Sequence, residues 1–474
     1  MTPKTDILRR TSRRRKIASD LIDSIRGVQL DFTEERLGRA ILLLSIPMML
    51  EMSMESVFAV VDVFFVMRLG ASAAATVGLT EALLTLLYAL AIGLSMGTTA
   101  MVARRVGEKD LPAASTAAVQ AIGLGVVIAA VVGVFGGLGA RTLLGVMGAS
   151  PEIVATGIGY TRVMFATNIV IFLIFLINAV FRGAGDPSMA MRSLWIANLI
   201  NIVLDPCLIF GLGPFPELGL TGAAVATTIG RGTGVLYQLR ALSKGSSRVV
   251  IRRRDLVWVP QVMMRLFRVS AFGIFQFLVS TASWVGLVRI ISSFGDNALA
   301  GYTLAIRILV FFFLPAWGMS NAAATLVGQN LGAEKPQRAE KAVWMTAGFN
   351  MAFLGGVGII FILFADPLIG LFTSDPAVTV TGVNCLRIVS YGYVFYALGM
   401  VMVQAFNGAG DTVTPTFINI FCFWLFQIPL AYTLAHPLGL GPNGVFIAIA
   451  VAESVMAIVA TLLFRRGKWK TKKI

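Results

Sequence analysis

Three carboxylates on one apolar segment are the residues of this chain best placed to do chemistry. Glu51, Glu55 and Asp62 are separated by four and then seven positions, which at about 100° per residue holds all three within a narrow arc of one helical face. Asn201 and Asp205, again four apart, stack on one face of a second apolar segment, and Glu81 lies in a third. A carboxylate at the centre of a bilayer costs on the order of 3 kcal/mol, so such groups normally face a watery cavity or bind something. A small cation fits both demands. Na⁺ needs several oxygens, which two carboxylates, an Asn carbonyl and a hydroxyl could supply, whereas H⁺ needs only a carboxyl that exchanges its proton at ambient pH. The residue types fit either ion. Glu51 and Glu81 also fit a solvated position or an arginine partner.

The elements that must hold these groups are membrane helices. With 57% hydrophobic and 13% charged residues in 474 and a mean hydropathy of +0.82, the chain is more apolar than any soluble core requires. Stretches of about 20 residues or more, long enough to cross a bilayer, are expected at 39–67, 72–103, 113–140, 153–181, 189–212 and 220–242, and again at 263–294, 298–326, 342–372, 378–406, 413–436 and 445–464. The halves are related. Phe181-Arg182-Gly183-Ala184-Gly185-Asp186 returns as Phe406-Asn407-Gly408-Ala409-Gly410-Asp411, an offset of 225 that also carries Gly93 and Ser95 onto Gly318 and Ser320, Gly107 onto Gly332, and Pro151 onto Pro376. Near the ends of the halves the offset slips to 222, where Gly219 and Gly222 answer Gly441 and Gly444. A tandem repeat of six spans with both copies in one orientation is a transporter plan. The acids do not repeat: at 225, Glu51, Glu55, Asp62 and Glu81 fall on Gln276, Ser280, Leu287 and Ile306. An asymmetric set reads as a cation site of the N-terminal half, since a purely structural role would recur in both.

Basic residues cluster on one side of the expected spans, at Arg9–Lys16, Arg104–Lys109, Lys244–Arg254, Lys335–Lys341 and Arg465–Lys473, which places both termini in the cytoplasm by the positive-inside rule. The implied division is a basic cytoplasmic leader (1–36), an N-lobe (37–242), a cytoplasmic linker (243–262), a C-lobe (263–464) and a basic cytoplasmic tail (465–474), in the cell's inner, cytoplasmic membrane. The net charge of +15 is spread over all these loops, which argues against nucleic acid as a partner; membrane lipids are the natural neighbours. Residues 9–26 carry Ile17, Leu21 and Ile25 at four-residue spacing, the pattern of a short amphipathic helix on the membrane surface or of a solvated tail. Cys207, Cys385 and Cys422 are isolated, and the one histidine, His436, sits beside Pro437, so no disulfide, thiolate metal centre or cofactor is expected.

At this point the motifs form a set. Pro47, Asp62 and Gly70, the turn at Arg182–Asp186, Asn201-Ile-Val-Leu-Asp205-Pro206, Gly222-Ala-Ala-Val-Ala-Thr227 and Leu326-Val-Gly-Gln-Asn-Leu-Gly332 resemble the multidrug and toxic compound extrusion (MATE) family over nearly the whole chain from Thr33. The resemblance implies an all-α polytopic fold of twelve transmembrane helices in two pseudo-symmetric six-helix lobes around a central cavity. It implies exchange of organic cations or other amphipathic compounds for Na⁺ or H⁺, with a monomer sufficient. In the DinF-like and archaeal branch the coupling site uses an Asp of the first helix and an Asn and Asp of the fifth. Asp62, Asn201 and Asp205 match these, with Thr227 as the best match for the hydroxyl ligand, Thr221 as a weaker one and Glu55 as a neighbour. A bend of the first helix accompanies occupancy of that site, and Pro47 is the residue that permits it here, because proline removes a backbone hydrogen bond. The other branch's Glu on the seventh helix and Asp on the tenth have no counterpart.

The cavity is only sketched. Met52, Met54, Phe275, Gln276 and Trp284 lie on spans that would line it, in a chain with 20 Met and 32 Phe, an adaptable apolar surface of the kind promiscuous binders use. No GxxxxGK[ST] loop is present, which speaks against ATP as the driving force. An intramembrane enzyme would need clustered His, Cys, or Ser with a base, so no catalysis is expected. The alternative is a flippase of lipid-linked saccharides or other lipids from the same remote superfamily, against which the acidic rather than cationic set of intramembrane charges counts.

Overall fold

The computed structural model describes residues 19–245 and 247–474; the arginine cluster Arg9–Arg15 and the first half of the expected leader helix lie outside the described residues. Residues 19–26 form a helix, α1. Twelve spans follow. In the N-lobe they are α2 (Leu37–Met67), α3 (Ala71–Gly107), α4 (Leu111–Leu138) with the short α5 (Ala140–Val146) after it, the pair α6 (Pro151–Ala166) and α7 (Ile169–Ala184), α8 (Pro187–Phe210) and α9 (Leu220–Lys244). In the C-lobe they are α10 (Pro260–Ser292), α11 (Asp296–Gly332), α12 (Pro336–Leu363) with the short α13 (Ala365–Gly370), the pair α14 (Pro376–Tyr391) and α15 (Tyr393–Gly408), the eleventh span from α16 (Val413–Asn419) through a π-helical stretch (Ile420–Gln427) to α17 (Ile428–Ala435), and α18 (Pro442–Arg465). Counting each bent pair once, ten of the spans are long and apolar enough to cross a membrane. The other two, α2 and α9, carry Glu51, Glu55, Asp62 and Arg231.

Local chemistry explains where these helices start and break. Prolines begin α6 and α14, each behind a cap: Ser150 Oγ accepts from Ile153 N at 3.3 Å, and Asp375 Oδ1 accepts from Ala377 N at 2.8 Å, satisfying donors the helix leaves open. The fourth and tenth spans, expected to be continuous, are broken by bends of 40° and 57°. The ninth, expected to reach residue 372, stops at Leu363 and turns into α13. In the eleventh, Pro429 cannot donate to the carbonyl four residues back, and the turn before it opens to the wider π form. The two repeated Gly-Ala-Gly-Asp segments end in tight turns, with Gly185 at φ 84° and Gly410 at φ 81°, a region that only glycine enters freely.

The lobes meet along α2–α11 and α3–α10. The repeat glycines make this seam possible: a Cβ on Gly93 would stand 2.3 Å from the backbone of Ile274, and one on Gly318 would stand 2.4 Å from that of Met48. At the basic end α1 and the C-terminal tail pack against the spans. Arg39 holds Asp20 of α1 at 2.8 Å and Glu35 at 3.1 Å, while Arg105 donates to Ile474 O at 3.1 Å and Lys472 pairs with Asp411 at 3.3 Å.

Candidate functional site

α8 and α9 approach so closely at Gly230 that a Cβ there would lie 2.5 Å from Ala197 O. That proximity lets side chains from the two helices touch. Asn201 Nδ2 donates to Thr227 Oγ1 at 3.1 Å and lies 3.3 Å from Asp205 Oδ1. From the neighbouring α2, Asp62 comes near enough to Asp205 for the two carboxyl groups to act on each other's charge. Two carboxylates this close repel each other, and a proton or a cation taken up between them relieves that repulsion. Asn201, Asp205 and Thr227 are buried, and Asn201 Oδ1 and Asp205 Oδ2 have no hydrogen-bond partner. The four residues singled out in sequence therefore converge into one cluster of oxygens from three helices, with acceptor capacity to spare. Thr221 instead packs its hydroxyl against Gly159, and Pro47 lies inside α2, which runs through it as one helix.

Glu55 stands beside this cluster rather than in it. Its Oε1 accepts from Arg231 of α9 at 2.9 Å and its Oε2 from Asn198 at 3.2 Å. Arg231 is only 3% exposed, its Nε and Nη1 have no partner, its guanidinium stands over the Phe58 ring at 5.6 Å, and it is near enough to Asp62 to act on its charge. Sequence reasoning missed this arginine by counting basic residues for topology alone; its place in the middle of an apolar span was the signal. Of the two acids with alternative readings, Glu51 is an arginine partner: Arg182 Nη1 and Asn178 Nδ2 both donate to its Oε1 at 3.0 Å. Glu81 is exposed at the surface of α3, within electrostatic reach of Arg307.

One cavity adjoins these groups and a second adjoins the first. The first, of about 150 Å³, is lined by Glu51, Met52, Glu55, Asn178 and Arg182 with Trp317 and Gln404 from the C-lobe. The larger, of about 350 Å³, lies in the C-lobe and shares Met96, Trp317 and Gln404 with the first; Gln276 and Trp284 line it. The remaining cavity candidates are placed elsewhere. Met54 is buried and lines neither of these two cavities, and Phe275 is 49% exposed on the outer face of α10, as a 100° step from the inward-facing Gln276 requires.

The MatE family model matches the chain twice, over residues 47–207 and 273–433, once in each half. A protein of Thermotoga maritima described as a probable multidrug resistance protein NorM is 27% identical over 435 residues, 91% of this chain and 93% of that one. The multidrug export protein MepA of Staphylococcus aureus is 24% identical over 442 residues, 91% and 94% of the two chains. Among solved structures, the crystal structure of a MATE in complex with MaL6 superposes with a TM-score of 0.88 at 29% identity, covering 94% of this chain and 99% of the other. With the repeat, the twelve helices and both family matches in agreement, the chain belongs to the MATE family.

Proposed function

We propose that this protein is a secondary active efflux transporter that exchanges organic cations or other amphipathic compounds for H⁺ or Na⁺ by alternating access between its lobes, with the basic end in the cytoplasm. The single observation that supports the coupling is the approach of Asp62 to Asp205 beside Asn201 and Thr227. When the cluster takes up its ion, the mutual repulsion of two carboxylates is relieved; when it releases the ion, α2 and α8 are pushed apart. Because α2 also lines the seam with α11, a change at Asp62 is transmitted to the lobe interface, with Pro47 as the point of least backbone resistance. The Glu55–Arg231 pair holds α9 against α2 beside the cluster. The multidrug names borne by relatives of nearly full length support the cargo class.

The test is uptake of a fluorescent organic cation into proteoliposomes carrying wild type or Asp62→Asn, with a pH gradient and a Na⁺ gradient imposed separately. Wild type is expected to transport under one gradient, which names the ion, and Asp62→Asn to lose that transport. Undiminished transport in Asp62→Asn would move the coupling site elsewhere.

A further inference from the structure

The C-lobe cavity contains an acid that the N-lobe mechanism does not use. Glu453 of α18 is 5% exposed, lines the 350 Å³ cavity, and among the described residues makes no hydrogen bond or ion pair; its Oε2 is buried without a partner. Among the described residues no Lys, Arg or His lines the cavity. A buried carboxylate with no counter-charge costs several kcal/mol, so this group carries a proton or holds a cation from outside the protein.

The rest of the wall favours the second. Trp284, Phe313, Trp317, Tyr393 and Tyr396 present aromatic rings around the space, and ring faces attract cations most strongly where water is excluded. Among the described residues, the polar atoms of this wall that are fully buried without a partner are acceptors. Asn419 Nδ2 is committed to Ser280 Oγ at 2.8 Å, and Ser280 donates onward to Gln276 O at 3.0 Å, so the Asn419 carbonyl oxygen is left over; it and Gln276 Oε1 are buried without partners. The π-helical stretch begins just after Asn419 and brings Phe423 into the same wall; wide turns of this kind recur at functional sites. A volume of 350 Å³ suits a compact drug-sized ligand.

We propose that this C-lobe cavity binds an aromatic organic monocation, with Glu453 as its counter-charge and the aromatic wall as its cage. The site gives a location to the cargo class proposed above and rests on that reading of the cargo. It is separate from the coupling residues. The repeat supports it: at the 222 offset of the last spans, Glu453 is the counterpart of Arg231, so the position that supplies the N-lobe's buried positive charge supplies a negative one here, and its opposite number on α10, Ser280 in place of Glu55, is neutral.

The experiment measures binding of N-methylquinolinium, a permanent cation, and of 1-methylnaphthalene, its neutral isostere, to the full chain in lipid nanodiscs, corrected for empty nanodiscs. Wild type is expected to prefer the cation, Glu453→Gln to bind the cation about tenfold or more weakly with the neutral compound unchanged, and Glu453→Asp to retain the preference. Equal binding of the cation by wild type and Glu453→Gln, equal loss of both compounds, or no preference for charge in wild type would each overturn the assignment. A Glu453→Gln protein that does not fold leaves Glu453→Asp and the wild-type charge preference to decide it. Failure of the coupling proposal reads out separately, as transport retained in Asp62→Asn with the binding contrast intact.

Discussion

Where the N-lobe holds Glu51 against Arg182 at 3.0 Å, the C-lobe has Gln276 and Asn407 at the positions 225 residues on; where the N-lobe holds Glu55 against Arg231 at 2.9 Å, the C-lobe has Ser280 and an unpaired Glu453. Asp62 is answered by Leu287. The glycines at the seam and the turns repeat, because both lobes need the same backbone crossings. The paired acids Glu51 and Glu55 and the acid Asp62 do not repeat, because packing makes no demand for them. The two copies have therefore kept one architecture and separated two tasks: paired and shared charges in the N-lobe, a neutral amide and aromatic wall around a single acid in the C-lobe.

The contrast is broken most directly at its strongest pair. Arg182→Ala leaves Glu51 buried with only Asn178, and removing one partner of a buried ion pair costs about 3–5 kcal/mol. At the matching C-lobe position, Asn407→Ala removes a neutral hydrogen bond to Gln404 Oε1 at 2.7 Å, worth about 1 kcal/mol. Denaturation of the purified proteins in detergent should show that order clearly. Equal losses would mean that the charge asymmetry has no energetic weight.

A second pair tests the claim that packing is what the lobes share. A Cβ on Gly408 would stand 2.2 Å from Ala324 O, a backbone atom that cannot swing aside, while one on its mate Gly183 would stand 3.0 Å from Thr99 O. Gly408→Ala is expected to destabilise by about 1–3 kcal/mol and Gly183→Ala by less, read from the same unfolding curves. A reversed order would show that the C-lobe crossing relaxes more readily than its geometry indicates.

Much of this was legible in sequence. The repeat, the twelve spans and the convergence of Asp62, Asn201, Asp205 and Thr227 all follow from hydropathy, spacing and family resemblance. The bends in the fourth and tenth spans were not legible, since a run such as 378–406 stays apolar through Gly392 and hydropathy carries no direction. Arg231 and Glu453 were missed for a related reason. The halves were compared at 225, but the last spans register at 222 after a loop of different length, so the buried position where Arg231 is answered by Glu453 fell out of alignment.

The finest comparison is at Thr227 and its counterpart at 222, Ile449, which lines the C-lobe cavity. Thr227→Val keeps the shape and removes the hydroxyl, leaving Asn201 Nδ2 with Asp205 as its one remaining acceptor. If the cluster binds Na⁺, it loses one of few oxygen ligands, and the Na⁺ concentration that half-saturates exchange in proteoliposomes should rise about tenfold, close to 1.4 kcal/mol. Proton-driven exchange should stay near wild type, because the hydroxyl bonds to Asn201 and not to either carboxyl. Ile449→Val should alter neither. A Thr227→Val protein with unchanged Na⁺ dependence, beside an inactive Asp62→Asn, would reduce the coupling device to its two carboxyls and make Asn201 and Thr227 their scaffold.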